Sequence, residues 1–190
     1  MISGQDNTKE VSREELLNLN NIKFTTDYKK LLLTDVFIVT VPTPIDEFKK
    51  PDLSLIKKAN SLIAKILKER KLKGDKSKLE RNKGGYPCPI IIYESTVYPG
   101  VTEEICALQI EKESGIKFNK GFFCGYSPER INPGDHNHRL SSIVKITSGS
   151  DLKTANWVGE FYGSIIDAGT HLAPTIKVAE SAKVIENTQR

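Results

Sequence analysis

Cysteine is scarce in this chain of 190 residues: Cys88, Cys106 and Cys124 are odd in number and nowhere spaced Cys-x-x-Cys. No apolar signal segment opens the chain, so a reducing cytoplasm is the expected compartment rather than a disulfide-forming one. No apolar run approaches the ~18 residues that a membrane span needs, and no membrane partner is expected. Internal repeats are lacking, and the one low-complexity stretch is rich in lysine. The length suffices for one well-buried core and not for two full-size domains.

What is present begins with charge. The formal net charge is +4, yet it is local. Between Lys65 and Lys83 nine basic residues stand against three acids, so this stretch carries +6 and the rest of the chain −2. A nucleic-acid footprint spreads basic side chains over a face and interleaves them with aromatics. Neither pattern is here, and the stretch reads as a solvated insertion with no nucleic-acid partner.

Apolar periodicity alternates between strand and helix, which predicts an α/β fold with a mainly parallel sheet flanked by helices. Asp35 to Val41 is a continuous β-branched run suited to a strand buried on both faces. Asp52 can cap a helix in which Leu55, Ile56, Ala59, Leu62, Ile63, Ile66 and Leu67 recur at helical spacing. Ile90 to Tyr93 is a second strand, followed by a helix from about Thr102 to Glu113. Phe122 to Tyr126, Ile143 to Thr147 and Ser164 to Ala168 read as a third, a fourth and a short fifth strand, with a helix starting at Asp151 between the last two. Nearer the start, Ser12 to Leu19 reads as a short amphipathic helix and Ile22 to Thr25 as a weak edge strand. From Ala173 to Arg190 the pattern is helical with no C-cap glycine or proline stop, so the chain is expected to be cut within a longer helix.

Three polar segments follow apolar strands and are expected to converge at one sheet edge, where open α/β sheets hold their ligands. They are Val41-Pro-Thr-Pro-Ile-Asp46, Glu94-Ser-Thr-Val-Tyr-Pro-Gly100 and Ser127-Pro-Glu-Arg-Ile-Asn-Pro-Gly-Asp135. Hydroxyls at Thr43, Ser95 and Thr96 with strand-end N–H groups can hold a sugar or phosphate, and Glu129 can orient water or exchange a proton. Pro128 and Pro133 stiffen the loop that carries Glu129, Arg130 and Asn132. Singly, a Pro-Thr-Pro turn is often only a turn and a Ser-Thr pair before a helix often only a cap. Lys183 and Asn187 share one helix face at i, i+4, and on local grounds Lys183 is a solvated charge.

With Val41-Pro-Thr-Pro44, Glu94 to Gly100, Tyr126 to Asp135 and Ala182-Lys-Val-Ile-Glu-Asn187 in this order, the chain resembles the UDP-glucose/GDP-mannose dehydrogenase family from about Val11 to Arg190. Within it the resemblance is to the branch that oxidises UDP-N-acetylhexosamines for bacterial surface polysaccharides, the Vi polysaccharide type. It implies a partial Rossmann-like fold ending in a long linking helix. Residues 1–172 would form part of an NAD-binding domain, and 173–190 the start of a linking and dimerisation helix. It implies oxidation of a sugar C6 alcohol to a carboxylate with two NAD in turn, through an aldehyde and a cysteine thioester. Val41, Pro42, Thr43, Pro44, Ser95 and Thr96 would contact the cofactor, with Thr96 also positioning a water. Glu129 would be the acid/base of thioester hydrolysis, Arg130, Ile131 and Asn132 would line the sugar, and Lys183 and Asn187 would steady an oxyanion. The resemblance thus reverses the local reading of Lys183, and it implies a homodimer for a full-length enzyme.

The departures are specific. The sequence holds no Gly-x-Gly-x-x-Gly turn, the element that cradles the NAD pyrophosphate at a helix N-terminus. None of the three cysteines sits in a Gly-rich motif fit for the nucleophile, and Pro133 stands where some relatives place a second carboxylate. The chain is therefore expected to be a fragment, inactive alone. The alternative is a non-catalytic sugar-nucleotide-binding or assembly module of the same fold. Another NAD-dependent oxidoreductase is disfavoured by the Tyr126 to Asp135 loop.

Overall fold

The computed structural model describes residues 12–14, 18, 21–45, 47, 50–72, 89–129 and 143–189. Among them five strands form one sheet in the order β1 (Val36–Val39), β2 (Ile90–Tyr93), β3 (Phe123–Tyr126), β4 (Lys145–Gly149) and β5 (Thr170–Leu172). The β1–β2 and β2–β3 pairs are parallel, β3–β4 is antiparallel, and β4–β5 is parallel again. The helices are α1 (Ser54–Leu72), α2 (Val101–Ala107 in π-type turns, continued by Leu108–Ser114), α3 (Leu152–Gly163) and α4 (Ile176–Gln189).

The period of two along each strand divides the core between the sheet faces. Ile91, Tyr93, Cys124 and Tyr126 join Ile56, Ile63, Ile66 and Leu67 of α1 and Ala107 and Ile110 of α2 in one cluster. Ile90 and Ile92 point the other way and meet Val158 and Tyr162 of α3. With both faces covered, all four residues of β2 are buried, which is why that strand is apolar without alternation. Gly149 lets α3 start close against β4, since a Cβ there would lie 2.3 Å from the backbone nitrogen of Ala155.

Side-chain caps set where helices begin. Asp52 accepts from the Ser54 amide at 2.8 Å and Asp151 from the Thr154 amide at 2.7 Å, as the sequence led one to expect. The third cap comes from far along the chain. Gly100, with φ of 97°, turns the backbone into α2, and its N–H donates to Oε2 of Glu180 at 2.6 Å. The Thr102 N–H donates to Oε1 of the same carboxylate at 2.9 Å. Glu180 is fully buried and belongs to α4, so one charge-assisted pair fastens the last helix to the loop after β2. Ile176 and Ala179 complete the docking from the same helix.

Three sequence expectations need correction. Ile22 to Thr25 is not a strand but coil ahead of a 3₁₀ turn at Tyr28–Leu31. Ser164 to Ala168 is the turn after α3, and the fifth strand lies at Thr170–Leu172, where it finds β4 as a partner. The sheet is mainly parallel, as the sequence predicts, with β3 and β4 its antiparallel pair. Half of the expected Ser12 to Leu19 helix (residues 15–17 and 19) and residues 73 to 88 lie outside the described residues. The first part of the lysine-rich stretch, Lys65 to Leu72, is not a solvated insertion: it is the end of α1, with Arg70 buried and paired with Asp35.

Glu180→Ala removes the acceptor of two buried N–H groups and should cost about 3 kcal/mol, lowering the Tm by about 6–12 °C. Glu180→Gln, which keeps one carbonyl acceptor, should cost clearly less. Thermal unfolding followed by circular dichroism checks both.

Candidate functional site

Register brings the functional loops together. Val39 pairs with Tyr93, and Tyr93 with Tyr126, so three parallel strands end level and release their loops side by side. The loops are then tied to one another. The Glu94 amide donates to the Val39 carbonyl at 3.0 Å, the Ser127 amide to the Tyr93 carbonyl at 3.0 Å, and the Glu129 amide to the Glu94 carbonyl at 3.4 Å. Ser95 Oγ donates to the Val41 carbonyl at 2.6 Å. The result is a cleft of about 390 Å³ lined by Thr40, Val41, Pro42, Thr43, Glu94, Ser95, Thr96 and Glu129.

The sequence-predicted residues fall as follows. Val41, Pro42, Thr43, Ser95, Thr96 and Glu129 all line this cleft. Pro44 follows just outside the lining, where its carbonyl accepts from the Asp52 amide at 2.7 Å and closes the loop. Asp46 and the run Arg130, Ile131, Asn132 to Asp135 lie outside the described residues. Lys183 is on α4 and does not line the cleft. It is buried rather than solvated, with Nζ 3.4 Å from Oε2 of Glu186 one turn on. The side chain of Asn187 is outside the described set.

Thr43 Oγ1 bears directly on ligand binding. It is buried in the cleft wall and has no hydrogen-bond partner among the described residues. A buried hydroxyl left unmatched costs free energy unless something polar meets it. Together with the exposed Thr96 hydroxyl and the apolar Val41 and Pro42, it fits a flat, partly polar ring or ribose edge laid against the loop.

Sequence reasoning missed the groups beneath Glu129. Lys145 opens β4, and because β4 runs antiparallel to β3 its first residue sits at the edge where β3 ends. Its side chain is only 3% exposed, and Nζ lies 3.7 Å from Oε2 of Glu94 and 3.5 Å from Oε2 of Glu129. Nζ is also 5.1 Å above the ring of Tyr162. The Tyr162 hydroxyl donates a short hydrogen bond to Oε1 of Glu94. Burial first, and then the Glu94 carboxylate, push the Tyr162 phenol far above its ordinary range, so it stays a donor. The available signal was a lysine inside the apolar strand pattern Ile143 to Thr147. Its position could not be read without knowing that the strand reverses.

The described thiols play no part at the cleft. Cys106 is on the buried face of α2, where desolvation raises its thiol to about 11 despite hydrogen bonding with Asn60 and Tyr93. Cys124, inside β3, is fully buried and likewise raised well above the ordinary range. A thiol so protonated and enclosed is a poor nucleophile. At pH 8, Cys106 and Cys124 should resist an aromatic disulfide reagent in the folded protein and react promptly in denaturant. Thiol counting on a Cys88→Ser variant checks this.

The sequence profile of the UDP-glucose/GDP-mannose dehydrogenase family, NAD binding domain, matches residues 5–166. The chain is 54% identical over 187 residues to a UDP-N-acetyl-D-glucosamine 6-dehydrogenase of Pseudomonas aeruginosa, covering 98% of this chain and 40% of that protein. It is 47% identical to the enzyme of the same name from Salmonella typhi, covering 99% and 40%. Among solved structures, UDP-D-ManNAc dehydrogenase from Pyrococcus horikoshii superposes with a TM-score of 0.74 at 29% identity, over 94% of this chain and 38% of the other. GDP-mannose dehydrogenase from Pseudomonas aeruginosa, solved as a ternary complex, gives 0.69 at 26% identity over 87% and 34%. The chain thus spans about 40% of the length of the curated relatives it matches. The cofactor of this domain family is NAD, and the Thr43 hydroxyl, with no hydrogen-bond partner among the described residues, is a polar group available to such a ligand. By profile, by identity and by a Rossmann-like sheet whose strand ends carry the polar loops, the chain belongs to the NAD-binding domain of the UDP-glucose/GDP-mannose dehydrogenase family.

Proposed function

We propose that this chain is part of an NAD-dependent UDP-N-acetylhexosamine 6-dehydrogenase that oxidises a sugar C6 alcohol to a carboxylate for surface polysaccharide biosynthesis. The observation that carries this reading is the convergence of Thr43, Ser95, Thr96 and Glu129 on one cleft. Its similarity to two UDP-N-acetyl-D-glucosamine 6-dehydrogenases supports the choice of sugar. NAD, when bound, supplies the hydride acceptor.

The protein's own part is to bind, orient and move protons. Pro42 to Asp46 lie along the nicotinamide end of the cofactor, and Val41 contacts it as well. The Ser95 hydroxyl is committed to the Val41 carbonyl and shapes that loop, while Thr96 at the rim contacts the cofactor and orients a water. Glu129 exchanges a proton with the reacting oxygen, and Arg130, Ile131 and Asn132 line the sugar. Lys183 and Asn187 donate to the developing oxyanion, for which Lys183 exchanges its bond to Glu186 for the substrate. The reading carries a cytoplasmic location with it.

Residues 1–172 act in this account as part of the NAD-binding domain and 173–190 as the start of a linking helix that supports a homodimer. The exposed Val178, Val184 and Ile185 on α4 are the apolar face offered to the second copy. In the full-length protein, replacing Val178 and Ile185 with glutamate should leave the fold intact and shift sedimentation from dimer to monomer. A single monomeric species for both proteins contradicts the dimer.

The chain alone should not turn over substrate, because it has no glycine fingerprint and its described thiols are enclosed. Absorbance at 340 nm checks this with purified protein, NAD and UDP-N-acetylglucosamine. No rise is expected, and NADH formation abolished by Glu129→Ala would show the chain to be catalytically self-sufficient.

A further inference from the structure

We propose that Lys145 is a positioning residue that holds the carboxylate of Glu129 at the mouth of the cleft, using Glu94 and Tyr162 as its rear support. The proposal rests on the reading of Glu129 as the group that meets the sugar.

An ammonium 3% exposed has lost nearly all its hydration, and desolvating one such ion costs several kcal/mol before any partner is counted. Buried ion pairs can often be replaced by apolar side chains of similar volume without loss of stability, so packing alone is a weak reason for a lysine here. Nζ makes no hydrogen bond among the described residues, so its compensation is Coulombic, from Glu129 at 3.5 Å and Glu94 at 3.7 Å. The Tyr162 ring adds a favourable face at 5.1 Å.

The partners differ in what they can do. Glu94 is 14% exposed and receives the Tyr162 hydroxyl on its other oxygen, so it is locked from both sides. Glu129 is 41% exposed and lines the cleft. The contacts run in the order Tyr162, Glu94, Lys145, Glu129, with the most exposed of the four at the cleft. A carboxylate on a flexible stem loses rotamer entropy when it must adopt one geometry, and a fixed cation behind it removes that loss in advance. A substrate hydroxyl then meets a carboxylate acceptor already in place.

The test has two arms. In the first, lysine side chains carry ¹⁵N and ¹³C, and the ammonium of Lys145 should give a signal protected from water exchange at neutral pH. That signal is assigned by its loss in Lys145→Arg and should shift in Glu129→Gln. Absence of a protected signal, or one unmoved by Glu129→Gln, overturns the proposal. In the second arm, UDP-N-acetylglucosamine is titrated calorimetrically onto wild type, Glu129→Gln, Lys145→Met, the double variant and Lys145→Arg. Lys145→Met should weaken binding about tenfold, as Glu129→Gln does. The double variant should be no worse than either, and Lys145→Arg should restore most of the affinity. Wild-type affinity in a folded Lys145→Met overturns the proposal, as does full additivity. A wild-type chain that binds no sugar nucleotide contradicts the proposed function instead, and the first arm then decides on Lys145 alone. Should Lys145→Met not fold, Glu129→Gln and Lys145→Arg still decide between the outcomes.

Discussion

Everything at the candidate site depends on three parallel strands ending at the same level. The register that pairs Val39 with Tyr93 and Tyr93 with Tyr126 is fixed because each strand buries alternate side chains on opposite faces. A slip of one residue would turn Tyr93 and Cys124 out of the cluster built on α1 and α2. That apolar constraint, which has no chemistry in it, delivers Thr43, Thr96 and Glu129 to one cleft. The hydrogen bonds between the loops, from Glu94 to Val39 and from Glu129 to Glu94, then extend the ladder beyond the strands. The site is a continuation of the sheet's own hydrogen bonding into polar sequence.

Glu180 makes the second long-range tie. Its carboxylate takes the two N–H groups at Gly100 and Thr102 that the start of α2 leaves unpaired. The loop bearing Ser95 and Thr96 and the helix bearing Lys183 are thereby parts of one packed unit. The ion pair of Lys177 with Glu104, at 2.5 Å, lies on the surface beside this tie and adds little by comparison. Movement of α4 would thus be felt at the strand end that carries Thr96.

Much of this was legible in sequence because burial writes itself as periodicity. The runs at Val36, Ile90 and Phe123, the caps at Asp52 and Asp151, and the polar loops after each strand follow local rules that need no knowledge of the rest. The fifth strand was misplaced because Ser164 to Ala168 has the composition of a strand, whereas Thr170–Leu172 is a strand through its pairing with β4. The reversal of β4 was invisible for a related reason. Strand direction is decided by the path of the preceding connection, and apolar residues read the same either way. Lys145 and Glu94 were lost with it, since a lysine in a strand has meaning only once its neighbours across the sheet are known. Glu180 gave no local signal at all, because its partners lie 78 and 80 positions away.

The central claim is that the cleft at the level strand ends receives the nicotinamide side of NAD. An amide-resolved NMR titration of ¹⁵N-labelled chain with NAD tests it most directly, since each backbone position reports for itself. The account predicts saturable shifts at Val41, Thr43, Ser95, Thr96 and Glu129, with little change at the separate hollow lined by Gly149, Asp151, Leu172 and Ile176. Shifts confined to that second hollow, or none at the three loops at millimolar NAD, would contradict it.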